Sequence, residues 1–440
     1  MPEIGLTAEA ESQATPRLVC VLAGSVLRLV QAIVAVPVLV YLLALSTMVF
    51  SHPDVPFHQV NRVTFGLLVV SVVGRAIILR QPVFLVERAS WPMMALLLLV
   101  LISMLGRHVD DEAWGVLAAK YLFPFAMFHL AAMVFTVESD FRRFEVLTAC
   151  VLAYLSFTAF VFLAGFRGLV FPQFILDPSL GHHADRARGP FLQAVANGVS
   201  LNLLGLLVLH AYRRGSLRGL KMLVLLGSLP VAILATMTRA VWLSFAGSAI
   251  VLLVLSKNIK LRLACIVAGF VTIAGLGVIL SATDFGGTLG DRAEESGPVD
   301  YRKAVYAGGW EMFLERPLTG WGFHQMPSEL PRYVSEYRDS KVLYPHNTYL
   351  EVLVENGLLG LALYAWLMWE MLRLGRGRIP DRERKGFLNS DFHKLWPILL
   401  AVYWVNAAVV VMSYPFVNGI LFTLAGMLAA QRRRAEIASC

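Results

Sequence analysis

Charged side chains are scarce in this chain: Asp, Glu, Lys and Arg together make up 15% of 440 residues. A soluble domain usually carries about a quarter, so there is too little charge here to solvate a globular surface. Cysteine is scarcer still, with four in all. Cys20, Cys150 and Cys265 fall in apolar segments and Cys440 is the last residue, so no pair has metal-ligand spacing or sits in a polar loop where a disulfide could close. No Gly-rich phosphate loop is present, which argues against an ATP-driven pump. Internal repeats and low-complexity tracts are also missing. The leading residues carry Glu3, Glu9 and Glu11 instead of a basic patch, so a cleavable signal peptide is not expected.

What fills the chain is apolar. Hydrophobic residues reach 57% and the mean hydropathy is +0.66. Runs long enough to cross a hydrocarbon layer of ~30 Å recur throughout, without the every-second-residue alternation of a barrel. They predict spans near 31–50, 63–79, 91–106, 115–136, 145–165, 191–211, 220–236, 240–256, 263–281, 347–371, 395–413 and 416–430. The expected architecture is an all-α integral membrane protein of about twelve transmembrane helices. Residues 1–30 form a tail with a possible interfacial helix, 31–281 the first part of the membrane domain, and 282–345 a long outer loop with short helices. Residues 346–430 supply the last membrane helices and 431–440 a cytoplasmic tail.

Charge gives the orientation. Arg213, Arg214, Arg218 and Lys221, then Lys257, Lys260 and Arg262, then Arg376, Arg378, Arg382, Arg384 and Lys385, and finally Arg432, Arg433 and Arg434 all fall on one side. The positive-inside rule makes that side cytoplasmic, so the net charge of +8 is a topology signal and not a nucleic-acid patch. The opposite side holds the loops 166–189 and 282–345. The larger has ten acidic against seven basic residues, without the cytoplasmic bias, and is long enough to be functional.

Several polar groups on that outer side invite chemistry. His346 follows Pro345 and precedes Asn347 at the mouth of an apolar helix, where the positive end of the helix dipole favours a neutral imidazole. A neutral histidine can act as a general base; a structural histidine bonded to a loop carbonyl fits the same position. Arg239 stands in the very short link Met237-Thr238-Arg239, on the side that charge bias disfavours. It reads either as an anchor to lipid phosphate or as a binding group for an anionic substrate. Arg188, with Arg186 two residues before it, ends the first outer loop just before Gly189-Pro190 and a helix start. Lys120, in the outer half of its span, is a candidate cavity charge. Glu351 and Glu355 lie one turn apart on the helix after His346. Glu355 sits nine residues on, about 180° round at ~100° per residue, which suits a buried structural partner better than a His–Glu dyad. The outer face lacks an Asp-x-Asp pair for a divalent metal, and His182-His183-Ala184-Asp185 lacks helical ligand spacing, so no metal is expected.

The stretch Tyr301-Arg302, Trp310, Phe313, Pro317-Leu318-Thr319-Gly320-Trp321-Gly322-Phe323, followed by Pro345-His346-Asn347, resembles the O-antigen ligase and Wzy-type polymerase superfamily. The Arg188-Gly189 segment with Asn197, and the Arg239 turn, complete the order over roughly 180–365. The resemblance implies a GT-C-type fold and a metal-independent, inverting glycosyltransferase with no cofactor. Its donor would be a glycan on polyprenyl (undecaprenyl) diphosphate and its acceptor a glycolipid such as lipid A-core, or another glycan. By resemblance Arg188 and Arg239 hold the diphosphate and His346 activates the acceptor hydroxyl; Arg186, Lys120, Arg302, Asn347 and Glu355 are candidate supporting groups. The implied setting is the bacterial inner membrane with the site facing the periplasm. Ligase is favoured over polymerase. The contrasting class, a transporter of an anionic solute, would put its site near the bilayer midplane between repeats.

Overall fold

In the computed structural model, residues 34–255 and 297–439 are described, apart from 83, 85 and 106–108. The described residues form helices and loops. In chain order the helices are α1 (Pro37–Thr47), α2 (Gln59–Ile78), α3 (Ser90–Met104), α4 (Asp111–Val134), α5 (Glu138–Leu163), α6 (Ala194–Arg214), α7 (Leu220–Leu234) and α8 (Arg239–Leu255). After the gap come α9 (Gly297–Glu315), α10 (Thr348–Leu374), α11 (Ser390–Ala407) and α12 (Pro415–Ser439). Five of these, α2, α4, α5, α6 and α10, are long and apolar enough to cross a membrane, and α1, α3, α7 and α8 are shorter apolar helices. The protein is a multi-pass membrane protein. The span expected at 263–281 lies outside the described residues, as does the interfacial segment expected within 1–30.

Outward faces are greasy, as lipid contact requires: α2 exposes Val60, Val63, Val70, Ile77 and Ile78, and α8 exposes Leu243, Ile250 and Val254. The centre belongs to α6 and α12. Sixteen of the 21 residues of α6 are buried, and α12 buries every residue from Phe416 to Gln431 while packing along α4.

One end of the bundle is arginine-rich. There Arg214, at the end of α6, donates to both carboxylate oxygens of buried Glu145 at 2.7 Å, and also pairs with Glu138. The expected span 145–165 therefore starts too late. Helix α5 runs two turns further because the charges that depress its hydropathy are satisfied inside the fold.

At the other end α10 departs from the single span expected over 347–371. Gly357 adopts φ 63° and ψ −165° and breaks the helix. The segment 317–322 docks into that break. Trp321 N–H donates to Val354 O (2.9 Å) and Gly322 N–H to Glu355 O (2.7 Å), while Leu358 N–H donates to Pro317 O (2.8 Å). A broken helix inside a membrane protein needs such partners, since each unpaired peptide group away from water costs several kcal/mol.

Candidate functional site

Helix α10 starts where it does because Asn347 caps it, its side chain accepting from Tyr349 N–H (2.9 Å) and Leu350 N–H (3.1 Å). Asn347 is thus a structural support for the histidine before it. His346 is half-buried with φ +46°, a left-handed conformation that an ordinary side chain adopts only where the surroundings impose it. Tyr306 O–H donates to the His346 carbonyl (3.4 Å), and the Tyr301 ring meets the imidazole edge-on at 5.8 Å between centroids. Burial, then the positive charge of Arg302, then His183 and His182, hold the His346 pKa below the ordinary histidine value. The ring is accordingly neutral at pH 7, as its place at a helix mouth predicts. Its electrostatic neighbours come from two segments distant in sequence: Arg302 lies in the second turn of α9, and His182 and His183 belong to the loop 166–189.

That loop runs from His346 to the arginines. Its Gly181 N–H donates to Asp54 (2.7 Å), and Ala187 N–H donates to Ala235 O (3.0 Å), which seats the Arg186–Arg188 segment against the turn leading to Arg239. Asn197 donates to Ala187 O at 2.8 Å, fixing the same segment from α6. Arg239 begins α8 and is exposed, and Arg186 is half-buried beside Asp185 (3.8 Å).

Arg188 differs from expectation. Its side chain is 1% exposed, and its guanidinium donates to the carbonyls of Ile175 (2.9 Å), Asp177 and Leu180. In this arrangement it clamps the loop and does not present a fork to a ligand. The sequence shows an arginine beside a helix start; only the fold shows that three carbonyls have already claimed it.

The remaining candidates sort by partner. Lys120 lies in a π-helical turn (Ala118–Leu122) and pairs with Glu351, both side chains under 10% exposed. Glu355 is buried beside the break in α10, with the backbone N–H groups of His324 and Met326 turned toward its carboxylate and Lys120 and Glu351 as its charged neighbours. Of the loop aromatics, Phe323 is buried and Trp321 donates to Met312 O (2.7 Å) beneath Arg316, whereas Trp310 remains half exposed. Among the described residues no group of three His, Cys, Asp or Glu has metal-holding geometry.

Fold and site together define a multi-pass helical membrane protein with a neutral histidine and several arginines at one end. Residues 222–365 match the family model described as O-antigen ligase, which supports the resemblance to the O-antigen ligase and Wzy-type superfamily. The matched range includes Arg239, Arg302, His346, Asn347 and Glu355, and stops short of Lys120, Arg186 and Arg188. No curated protein matches the chain. The function is of the membrane glycan-processing, ligase or polymerase type.

Proposed function

We propose that this protein is a GT-C-type glycosyltransferase of about twelve spans that moves a glycan from undecaprenyl diphosphate to an acceptor hydroxyl at the extracytoplasmic face. The observation that carries the reading is the neutral His346, held in a left-handed conformation and facing the loop that leads to Arg186 and Arg239. Outside the cytoplasm no nucleotide sugar is at hand, so the donor arrives already activated on its lipid. The acceptor oxygen forms a bond to the anomeric carbon as the bond from that carbon to the diphosphate oxygen breaks. The hydroxyl proton passes to the His346 imidazole, and the diphosphate leaves with the electron pair. Attack from the face opposite the leaving group inverts the anomeric centre. Developing charge on the diphosphate is met by Arg239 and Arg186, while Arg188 holds the loop that presents them.

A null strain tests this directly. A ligase leaves long glycans on the polyprenyl carrier and none on the final acceptor, which is the result expected. Single repeats left on the carrier would make the protein a polymerase, and no change in lipid-linked glycan would remove the proposal.

The chemistry and the contacts fix further outcomes. The pH–rate profile should fall on acidification, with its midpoint below the ordinary histidine value of 6.5, because burial and neighbouring positive charge oppose protonation of His346. Arg302→Gln removes the positive charge that, after burial, most opposes that proton, so the His346 pKa rises and the acid limb shifts to higher pH. An acid limb that stays put in this variant would rule out His346 as the titrating base. Arg239→Lys should lower turnover about 10- to 100-fold while leaving Tm unchanged, since one charge-assisted, bidentate contact is worth roughly 1.5–3 kcal/mol. Arg188→Ala should act the other way round, lowering Tm and opening 166–189 to protease, because the buried Ile175 carbonyl loses its donor at about 1–3 kcal/mol and the Asp177 and Leu180 carbonyls lose theirs as well. Activity should also survive EDTA; silencing by EDTA with rescue by magnesium would sink the arginine-only mechanism.

A further inference from the structure

At the arginine-rich end, α10, its following turn and α12 leave a cleft lined by Trp369, Arg373, Arg376, Arg378 and Arg432. We propose that this cleft binds the headgroup of an anionic phospholipid, at the face opposite His346. The inference is independent of the reaction.

The charge balance comes first. Arg373 pairs with Glu370 (3.2 Å) and Arg432 with Glu436 (3.0 Å). Four arginines against those two carboxylates leave two positive charges, and among the described residues Arg376 and Arg378 are both exposed without an ion pair. A topology signal alone requires positive charge at this end, not a cleft that gathers it. Geometry adds to this: Arg376 lies over the Trp369 ring, its guanidinium carbon 5.8 Å from the centroid, which orients the fork and leaves its N–H edge to an anion. Trp366 and Trp369 are 44% and 51% exposed, one turn apart on α10, as expected of a belt at the headgroup level. A phosphodiester in the cleft would meet the arginine forks while its acyl chains run down the exposed apolar face of α10, past Leu359 and Leu358. A free phosphate shares the headgroup chemistry but has no use for the tryptophans or that face.

The test uses the full chain, purified and exchanged into mixed phosphatidylglycerol and phosphatidylcholine, with bound lipid counted by native mass spectrometry. Wild type should retain phosphatidylglycerol selectively. The double variant Arg376→Gln, Arg378→Gln should lose about fivefold in retention for each arginine removed. Trp369→Leu, which keeps every charge, should lose about threefold and carries the test should the double variant fail to fold. Arg384→Gln, an exposed arginine at the same end outside the cleft, should retain lipid as wild type does. Equal retention by wild type and the cleft variants would overturn the proposal, and so would an equal loss in Arg384→Gln, which would point to bulk charge. Inorganic phosphate raising Tm as much as phosphatidylglycerol does, and to the same extent in Trp369→Leu, would reject the lipid in favour of a soluble anion.

Discussion

His346→Ala should cut glycan transfer by about 10²- to 10⁴-fold, the range a positioned general base supplies, without preventing membrane insertion. The variant set matters, because His346 sits at φ +46° and alanine is strained there. Asparagine tolerates a left-handed backbone well, so His346→Asn keeps the local geometry and removes only the titratable ring. His346→Gln can still hydrogen-bond but cannot take a proton at neutral pH. All three should be equally silent if proton transfer is the role. Near-normal turnover by the glutamine or asparagine variant would reduce His346 to a positioning group. Supporting contacts would survive each change: Tyr306 bonds the residue's carbonyl and Asn347 caps α10 with its own side chain, neither depending on the imidazole.

Gly357→Ala should undock the loop that leads to His346, at a cost on the order of 3 kcal/mol or more. A Cβ at Gly357 would stand 2.3 Å from the Leu318 carbonyl oxygen, in a backbone conformation that L-residues rarely adopt. Its counterpart across the junction is Gly320 (φ +71°), where a Cβ would come 2.4 Å from the Glu355 carbonyl carbon. Two backbones meet here with no room for a side chain on either. A straight α10 is open to alanine, so Tm alone is an incomplete readout. Limited proteolysis within 316–345 should therefore rise sharply, with activity lost alongside. Gly227→Ala is the control, since a Cβ there meets nothing within 4 Å and should be neutral or slightly stabilising. Unchanged protease resistance in Gly357→Ala would show that the break is not what seats the loop.

These two positions illustrate how differently the site's parts were legible. His346 stands out in the sequence by its place between Pro345 and an apolar helix, but the leading causes of its lowered pKa, burial and then Arg302 from α9, come from the fold. Helical periodicity turns Glu355 away from His346, and in the fold the side chain is buried beside Glu351 and Lys120. Lys120 was visible as a charge in a span, yet nothing local indicated that Glu351 would be its partner 231 residues away. Arg188 misleads for a related reason. Its neighbours in sequence mark a helix start, but the carbonyls that occupy it belong to the path of the loop, which no short window encodes.

By itself the sequence determined the membrane class, most of the apolar helices and the arginine-rich end. These depend on summed transfer free energies over windows of about twenty residues, a quantity composition alone supplies. Tertiary structure alone decided the break at Gly357, the extra turns of α5 and the occupancy of Arg188. In each case a polar group's cost is cancelled by a partner far along the chain. The Leu358 N–H is tolerable because Pro317 O reaches it, and Glu145 is tolerable because Arg214 does. Hydropathy counts the Glu145 carboxylate as expensive wherever it stands and does not register the Leu358 N–H at all, and only the fold reveals that both have been satisfied.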